Sequence, residues 1–273
     1  MTVVVEVTKD NGTGQLIGSV QKALDILNTF DVQKSELSLT DLSVLLSMNK
    51  STLFSLLRTL ERNGYVIQNP HTKRYRLGTR LLERAALVVN YADVGRVAPP
   101  FLDELRDKVG ENVHLGVLND GEVVYLYRAQ GLESLSVNSR PGMRAPAHCT
   151  AMGKAMLAFL PDVEQASIIA RHGLSARTAH TITDPVLLQQ HLQEIRQQGY
   201  AVDAEEHHIG SQCIAAPILD MRDQMVAAIS VSVPSVRMGG ARRSYIVQSV
   251  TEYGRTISGQ LGWQAPGGDD IQG

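Results

Sequence analysis

Leucines at Leu42, Leu45 and Leu46, a short break, and then leucines at Leu53, Leu56, Leu57 and Leu60 restrict this chain more than any other pattern in it. The second set recurs at i, i+3, i+4, i+7, which puts all four on one helical face that must find an apolar partner. Ser38 or Thr40 can cap the first helix, and Asp41 suits its first turn. Ser47, Met48 and Asn49 leave room only for a tight turn, so Leu37 to Val66 has the form of a helix-turn-helix. The face opposite the leucines carries Ser51, Ser55, Arg58 and Arg62. Small hydroxylic residues near the helix start let its backbone approach base edges, and arginines further along reach phosphate or guanine.

Asn63 and Gly64 stop this helix. Tyr65 to Gln68 and Arg74 to Leu77 then read as two short strands around a turn through Asn69, Pro70, His71 and Thr72, the form of a wing. From Ser47 to Arg80 the bases are Lys50, Arg58, Arg62, Lys73, Arg74, Arg76 and Arg80, against the single acid Glu61, in a chain of net charge −2. The positive charge is local, as a phosphate-binding face requires. A leucine-rich hairpin with a solvated outer face, or a winged helix used for protein contacts, would show the same spacing. The wing and the charge asymmetry favour DNA. The contacts expected are Lys50, Ser51, Thr52, Phe54, Ser55 and Arg58 from the second helix and Lys73, Arg74 and Arg76 from the wing.

The length of 273 residues suits about two domains, and 43% apolar with 20% charged residues is ordinary for a globular protein. The N-terminus MTVVVEVTKD has no leader pattern and no apolar run would span a bilayer, so the expected location is cytoplasmic, without a membrane partner. Two cysteines, Cys149 and Cys213, are too few for a disulfide framework. The polar, Gly-containing tails Thr8 to Gly14 and Gly267 to Gly273 are expected to be disordered.

Leu81 to Val97 reads as a connecting helix, and Pro99 and Pro100 as the start of a new one ending at Gly110. Val113 to Leu118 and Val123 to Ala129 flank a hairpin turn. A further strand is expected at Leu135 to Ser139, and a helix capped by Thr150 from Ala151 to about Leu160. Helices at about Asp162 to His172 and Asp184 to Gly199, strands at Cys213 to Leu219 and Met225 to Val233, and a last helix from about Arg243 to Leu261 follow. Hairpins mixed with helices outside a βαβ alternation indicate an α+β domain on a largely antiparallel sheet.

Two motif groups resemble the isocitrate-lyase-regulator (IclR) family of bacterial transcription factors, over about Leu16 to Trp263. The first is NKSTLFSLLRTLERNGYV; the second is APAHCTAMGKAML with GYAVDAEEHHIGSQCIAAPILD and AAISVSVP. The resemblance implies a winged helix-turn-helix at residues 15–80, a linker helix at 81–98 and a GAF-like effector-binding domain at 99–263. It also implies dimers or tetramers, and a small organic acid that shifts operator binding, as in a repressor of a catabolic operon. Where family members commonly carry Tyr or His followed by Arg, this chain has Phe54 and Ser55, so no operator sequence carries over.

Thr150, Ala151, Met152 and Gly153 would present free amide groups at a helix start, which favours a carboxylate, and Gly153 permits close approach; an ordinary capped helix is the plain alternative. Along Met225 to Val233 a period of two puts Ser230 and Ser232 on one face. Alternation of that kind usually marks a solvated strand face, but the resemblance matches Ser230, Ser232, Asp203 and Cys213 to ligand-contacting positions. Asp203 beside a carboxylate suits a hydroxylated acid, while Glu205 and Glu206 read as solvated loop residues. The expected effector site is therefore Ala151, Met152, Gly153, Asp203, Cys213, Ser230 and Ser232, with no cofactor, metal or catalytic residue.

His148, Cys149, Asp203, His207, His208 and Cys213 keep a metal-binding or thiol-based sensor open, and less so a cysteine- or metal-dependent enzyme, though the spacing is no compact zinc signature. The partners expected are double-stranded operator DNA, a small organic acid and further copies of the chain.

Overall fold

The chain divides into two compact units, Met1–Val88 and Val89–Gly273. The computed structural model describes residues 17–31, 33–91, 93–131 and 139–264. Both tails, and the strand expected at Leu135 to Ser139 apart from Ser139 itself, lie outside the described residues.

The first unit contains α1 (Gly18–Asn28), α2 (Leu39–Leu45), α3 (Lys50–Arg62), β1 (Val66–Gln68) and β2 (Tyr75–Leu77). Ser38 closes the start of α2 as a reciprocal cap with Asp41, and Asn49 accepts the Thr52 amide at the start of α3. Ser47 adopts a left-handed φ of 50° in the turn between them. Leu53 and Leu57 are fully buried against Ile26, Leu42, Val66 and Tyr75, with Leu56 and Leu60 at the edge of the same core. β1 and β2 pair antiparallel, and Leu37 bridges to Tyr75 on the other side, which ties the wing to the segment before α2. Helix α1 has no clear signal in the sequence beyond Ile26, its one fully buried residue.

Helices α4 (Arg80–Tyr91) and α5 (Asp93–Val109) occupy the connecting stretch. Pro99 and Pro100 do not begin a helix: they lie inside α5. Each proline removes one intrahelical bond, and the burial of Ala98, Leu102 and Leu105 in the core of the second unit holds the helix together across that gap.

The second unit is built on a six-stranded antiparallel sheet ordered β5-β4-β3-β8-β7-β6. Its strands are β3 (Asn112–Asn119), β4 (Glu122–Ala129), β5 (Arg144–Pro146), β6 (Ala201–Ala204), β7 (Ser211–Leu219) and β8 (Met225–Pro234). Its other helices are α6 (Ala151–Leu157), α7 (Asp162–His172), α8 (Pro185–Gln198) and α9 (Gly240–Gln260). Helix α6 is shorter than the sequence predicts, and β5 and β6 are too short to have left a periodic signal. One sheet face carries Val113, Leu115, Ile229 and Val231 against Leu102 and Leu105 of α5 and Val250 and Ile257 of α9. The other carries Ala201, Ala215 and Ala228, whose small side chains let Met152 and Ala155 of α6 lie close to the strands. The whole is α+β.

Candidate functional site

The outer face of α3 is the first candidate. Lys50, Ser51, Thr52, Phe54, Ser55 and Arg58 are all exposed, as are Lys73, Arg74 and Arg76 on the wing. Lys50, Arg58, Arg62, Lys73 and Arg76 form no ion pair among the described residues. Arg74 differs: its Nη1 donates to the Glu36 carbonyl at 3.1 Å and lies 3.8 Å from Asp41. It braces the wing against α2, so part of its charge is already answered within the protein.

The second candidate is a cavity on the α6 side of the six-stranded sheet. Residues directly opposite one another in an antiparallel sheet point to the same face. The register aligns Asp203, Cys213, Ser232 and Asn112 in one row across β6, β7, β8 and β3, and Ala215, Ser230 and His114 in the next. Asp203, Cys213, Ser230, Ser232 and His114 all line the cavity, with Ala151 and Met152 of α6 above them. The serines are therefore not a solvated strand face; Ser230 is 3% exposed and Ser232 8%.

Gly153 is not a lining residue. Its amide donates to the Thr150 hydroxyl at 3.2 Å, and the close approach it permits is to the Ala147 backbone, where an added Cβ would lie 2.2 Å from the carbonyl oxygen. The glycine lets the helix pack closely against the Ala147 turn. Ala151 and Met152 remain at the open end of α6.

Sequence reasoning missed His114, Tyr125, Ser139 and Ser211 and weighed His207 and His208 only for a metal or thiol site; with Thr150 these residues complete the cavity wall. Asn112, His114 and Gly116 alternate along β3, and that period of two was the available signal. Ser139 Oγ lies 2.6 Å from His114 Nε2, His114 Nδ1 lies 3.5 Å from Ser232 Oγ, and Ser232 Oγ lies 3.1 Å from Cys213 Sγ. Burial, with Arg128 nearby, pushes the His114 pKa down to about 3, so the ring is neutral and offers one donor and one acceptor to this chain. Burial also raises the Tyr125 phenol. Among the described residues no lysine or arginine lines the cavity.

Asp203 is its only acid among the described residues. Oδ1 accepts the amides of Glu206 at 2.7 Å and His207 at 3.3 Å, yet burial outweighs these bonds and raises the carboxyl to about 7. Near neutral pH it is part donor and part acceptor.

Glu206 is not a solvated loop residue. It is 5% exposed and pairs with the fully buried Lys154 of α6, whose Nζ also sits 3.1 Å from His191 Nε2 on α8. The Glu206 carbonyl accepts the Thr181 hydroxyl at 2.6 Å. Glu205 stays nearer the surface and accepts the Gly210 amide at 3.1 Å. The partner of Glu206, Lys154, lies inside the GKAML motif where nothing in the helical pattern announces a buried cation.

The metal reading finds no support: no group of three or more His, Cys, Asp or Glu among the described residues could hold an ion. Nor are the thiols activated, since burial pushes both Cys149 and Cys213 up to about 12 and keeps them protonated.

The opposed shifts in this cavity make a testable pH signature. A carboxyl raised from 3.8 to about 7 holds its proton more tightly folded than unfolded, so it adds stability as pH falls through that window. His114 and His207, lowered to about 3 and about 4 chiefly by burial, act the other way and cost stability as pH falls below 6.5. Asp203→Asn removes the first effect and leaves the second. Urea unfolding across the acid range should show the variant losing more stability on acidification than the wild type. Parallel profiles would mean that Asp203 titrates as if in water.

Comparison with known proteins follows the same division of the chain. The family model for the bacterial transcriptional regulator IclR C-terminal region matches residues 86–259, and that for the IclR helix-turn-helix domain matches residues 19–70. The chain is 37% identical over 250 residues to the HTH-type transcriptional regulator XynR of Escherichia coli (strain K12), covering 92% of this chain and 99% of XynR. It is 33% identical over 247 residues to the regulator KdgR of Dickeya chrysanthemi, covering 90% and 81%. The crystal structure of the Thermotoga maritima IclR matches with a TM-score of 0.78 at 30% identity, covering 91% of this chain and 100% of that one. These relatives are transcriptional regulators, not enzymes.

Proposed function

Because the chain belongs to the IclR family of bacterial transcriptional regulators, we propose that this DNA-binding regulator is switched by a small hydroxylated carboxylic acid held in the cavity beneath α6. The observation that carries the reading is the row Asp203, Cys213 and Ser232 with Ser230 and His114 beside it, a buried polar wall without a cationic side chain among the described residues. Hydroxyls and a half-ionised carboxyl on that wall match ligand hydroxyls, and the open amides of Ala151 and Met152 match a carboxylate. On the other unit, Ser51, Thr52, Phe54 and Ser55 enter the major groove, Lys50 and Arg58 beside them and Lys73 and Arg76 on the wing meet phosphates, and Arg74 steadies the wing. One winged helix covers a short half-site, so the active species is a symmetric oligomer on a partly palindromic operator.

The acid acts by binding two conformations of the protein unequally. Calorimetry with a panel of small hydroxy acids, paired with operator titrations with and without each acid, tests this. For an acid that binds, removing the hydroxyls with Ser230→Ala and Ser232→Ala together costs about 1–3 kcal/mol of ligand affinity, while ligand-free DNA affinity stays as it was. Wild-type ligand affinity in that double variant would place the effector elsewhere. If no acid altered operator binding, the effector reading would be lost.

A further inference from the structure

We propose that Phe54 is a specificity-determining residue that reads thymine in the operator through its 5-methyl group; the inference rests on α3 being the recognition helix.

The chain has four phenylalanines. Phe30 packs in the core of the first unit, and Phe101 and Phe159 pack against the two cores of the second. Phe54 alone among them is exposed, at 49%, in the first two turns of α3. An isolated exposed apolar side chain is common, so exposure by itself decides nothing. What decides is the state of the polar groups around it.

Three hydroxyls on this face, those of Ser51, Ser55 and Thr59, are turned back onto their own helix or its cap. Ser51 Oγ donates to Asn49 Oδ1 at 3.3 Å, Ser55 Oγ to the Ser51 carbonyl at 3.2 Å and Thr59 Oγ1 to the Ser55 carbonyl at 3.0 Å. Short side chains committed in this way present little beyond the helix surface, and the phenyl ring reaches further than any of them. The cations Lys50 and Arg58, four residues to either side, form no ion pair among the described residues and are free to take the phosphates that flank a groove. An apolar ring set between two such cations fits a polyanion with a small apolar spot at its centre.

Duplex DNA has one such spot in the major groove, the methyl group of thymine; the other base edges there present hydrogen-bonding groups. A phenyl ring set against guanine, adenine or cytosine would cover those groups without answering them, and against thymine it gains contact. The preference is a difference between a gain and a penalty, which makes it strong for a side chain that forms no hydrogen bond.

The test uses the full chain and a duplex pool with a randomised core. Wild type and Phe54→Ala are each taken through selection, and the thymines of the wild-type site are then replaced singly by deoxyuridine, which lacks only the methyl. The expected result is a thymine in each half-site whose replacement weakens wild-type binding about fourfold, the worth of one buried methyl. Phe54→Ala binds the unmodified site more weakly, is indifferent to that replacement and accepts other bases at the position. The variant should melt with the wild type, because the ring supports no core. Wild-type indifference to deoxyuridine at every thymine overturns the proposal, as does a Phe54→Ala protein that keeps the methyl sensitivity. So does a variant whose oligomeric state changes while its base preference stays, which would make Phe54 a protein contact. If the wild type enriches no sequence at all, α3 is not a recognition helix and both readings fall together.

Discussion

Lys154→Met lowers the stability of the second unit by about 3–5 kcal/mol, the loss expected when one partner of a buried pair is removed and the other is left charged in a low-dielectric interior. Lys154 is fully buried and Glu206 nearly so, and one Glu206 carboxylate oxygen, Oε2, already has no hydrogen-bond partner. Methionine keeps the length and volume of the stem, so the loss reports charge and not a cavity. The control is the double variant Lys154→Met with Glu206→Met, which removes both charges and should recover most of the deficit, as replacement of whole buried pairs by apolar side chains commonly does. Urea unfolding of the single and double variants reads the difference. A loss below about 1 kcal/mol in the single variant would show that water reaches Glu206 and that the pair is worth no more than a surface one.

Gly153→Ala is the second large effect, a destabilisation of about 3 kcal/mol at the upper end of what overpacking usually costs. The added Cβ would sit 2.2 Å from the Ala147 carbonyl oxygen and 2.3 Å from its Cα. Both are backbone atoms in a buried turn, so no rotamer change relieves the overlap, and α6 must lift from the sheet. Thr150→Ala separates this from the loss of the cap alone, which costs about 1 kcal/mol. Thermal unfolding of the two variants should rank Gly153→Ala well below Thr150→Ala. Equal melting would mean that the turn before α6 yields easily and that the helix is not held where the cavity needs it.

The elements that could be read from the sequence are those whose side chains follow a period over several turns or strand pairs. The leucines of α2 and α3, the hairpin of β3 and β4, and the alternation in β8 all signal themselves this way. Pro99 and Pro100 misled because local stereochemistry favours a helix start, while burial of Ala98, Leu102 and Leu105 carries α5 through them. Strand β6 is four residues long, and the acids Asp203, Glu205 and Glu206 at and beyond its end resemble a loop; it is strand because Asp203 and its neighbours pair with β7, a contact between distant segments. The same holds for the site. Ser230 and Ser232 share a face that periodicity reveals, but the row that joins them to Asp203 and Cys213 exists only once three strands are in register. Lys154 and Glu206 lie 52 residues apart, and neither segment alone signals that the other will bury it.

The alternation along β3 and β8 separates two kinds of change. Val113, Leu115, Ile229 and Val231 hold the sheet to α5 and α9, whereas the residues between them, His114, Ser230 and Ser232, face the cavity. A substitution at a cavity position alters the polar wall without disturbing the packing that keeps the sheet in place, and a change in the packing layer leaves the cavity's polar groups intact. Adjacent residues on one strand are thus free to follow separate histories, and the chemistry of the cavity wall can be remade by a few steps taken every second residue.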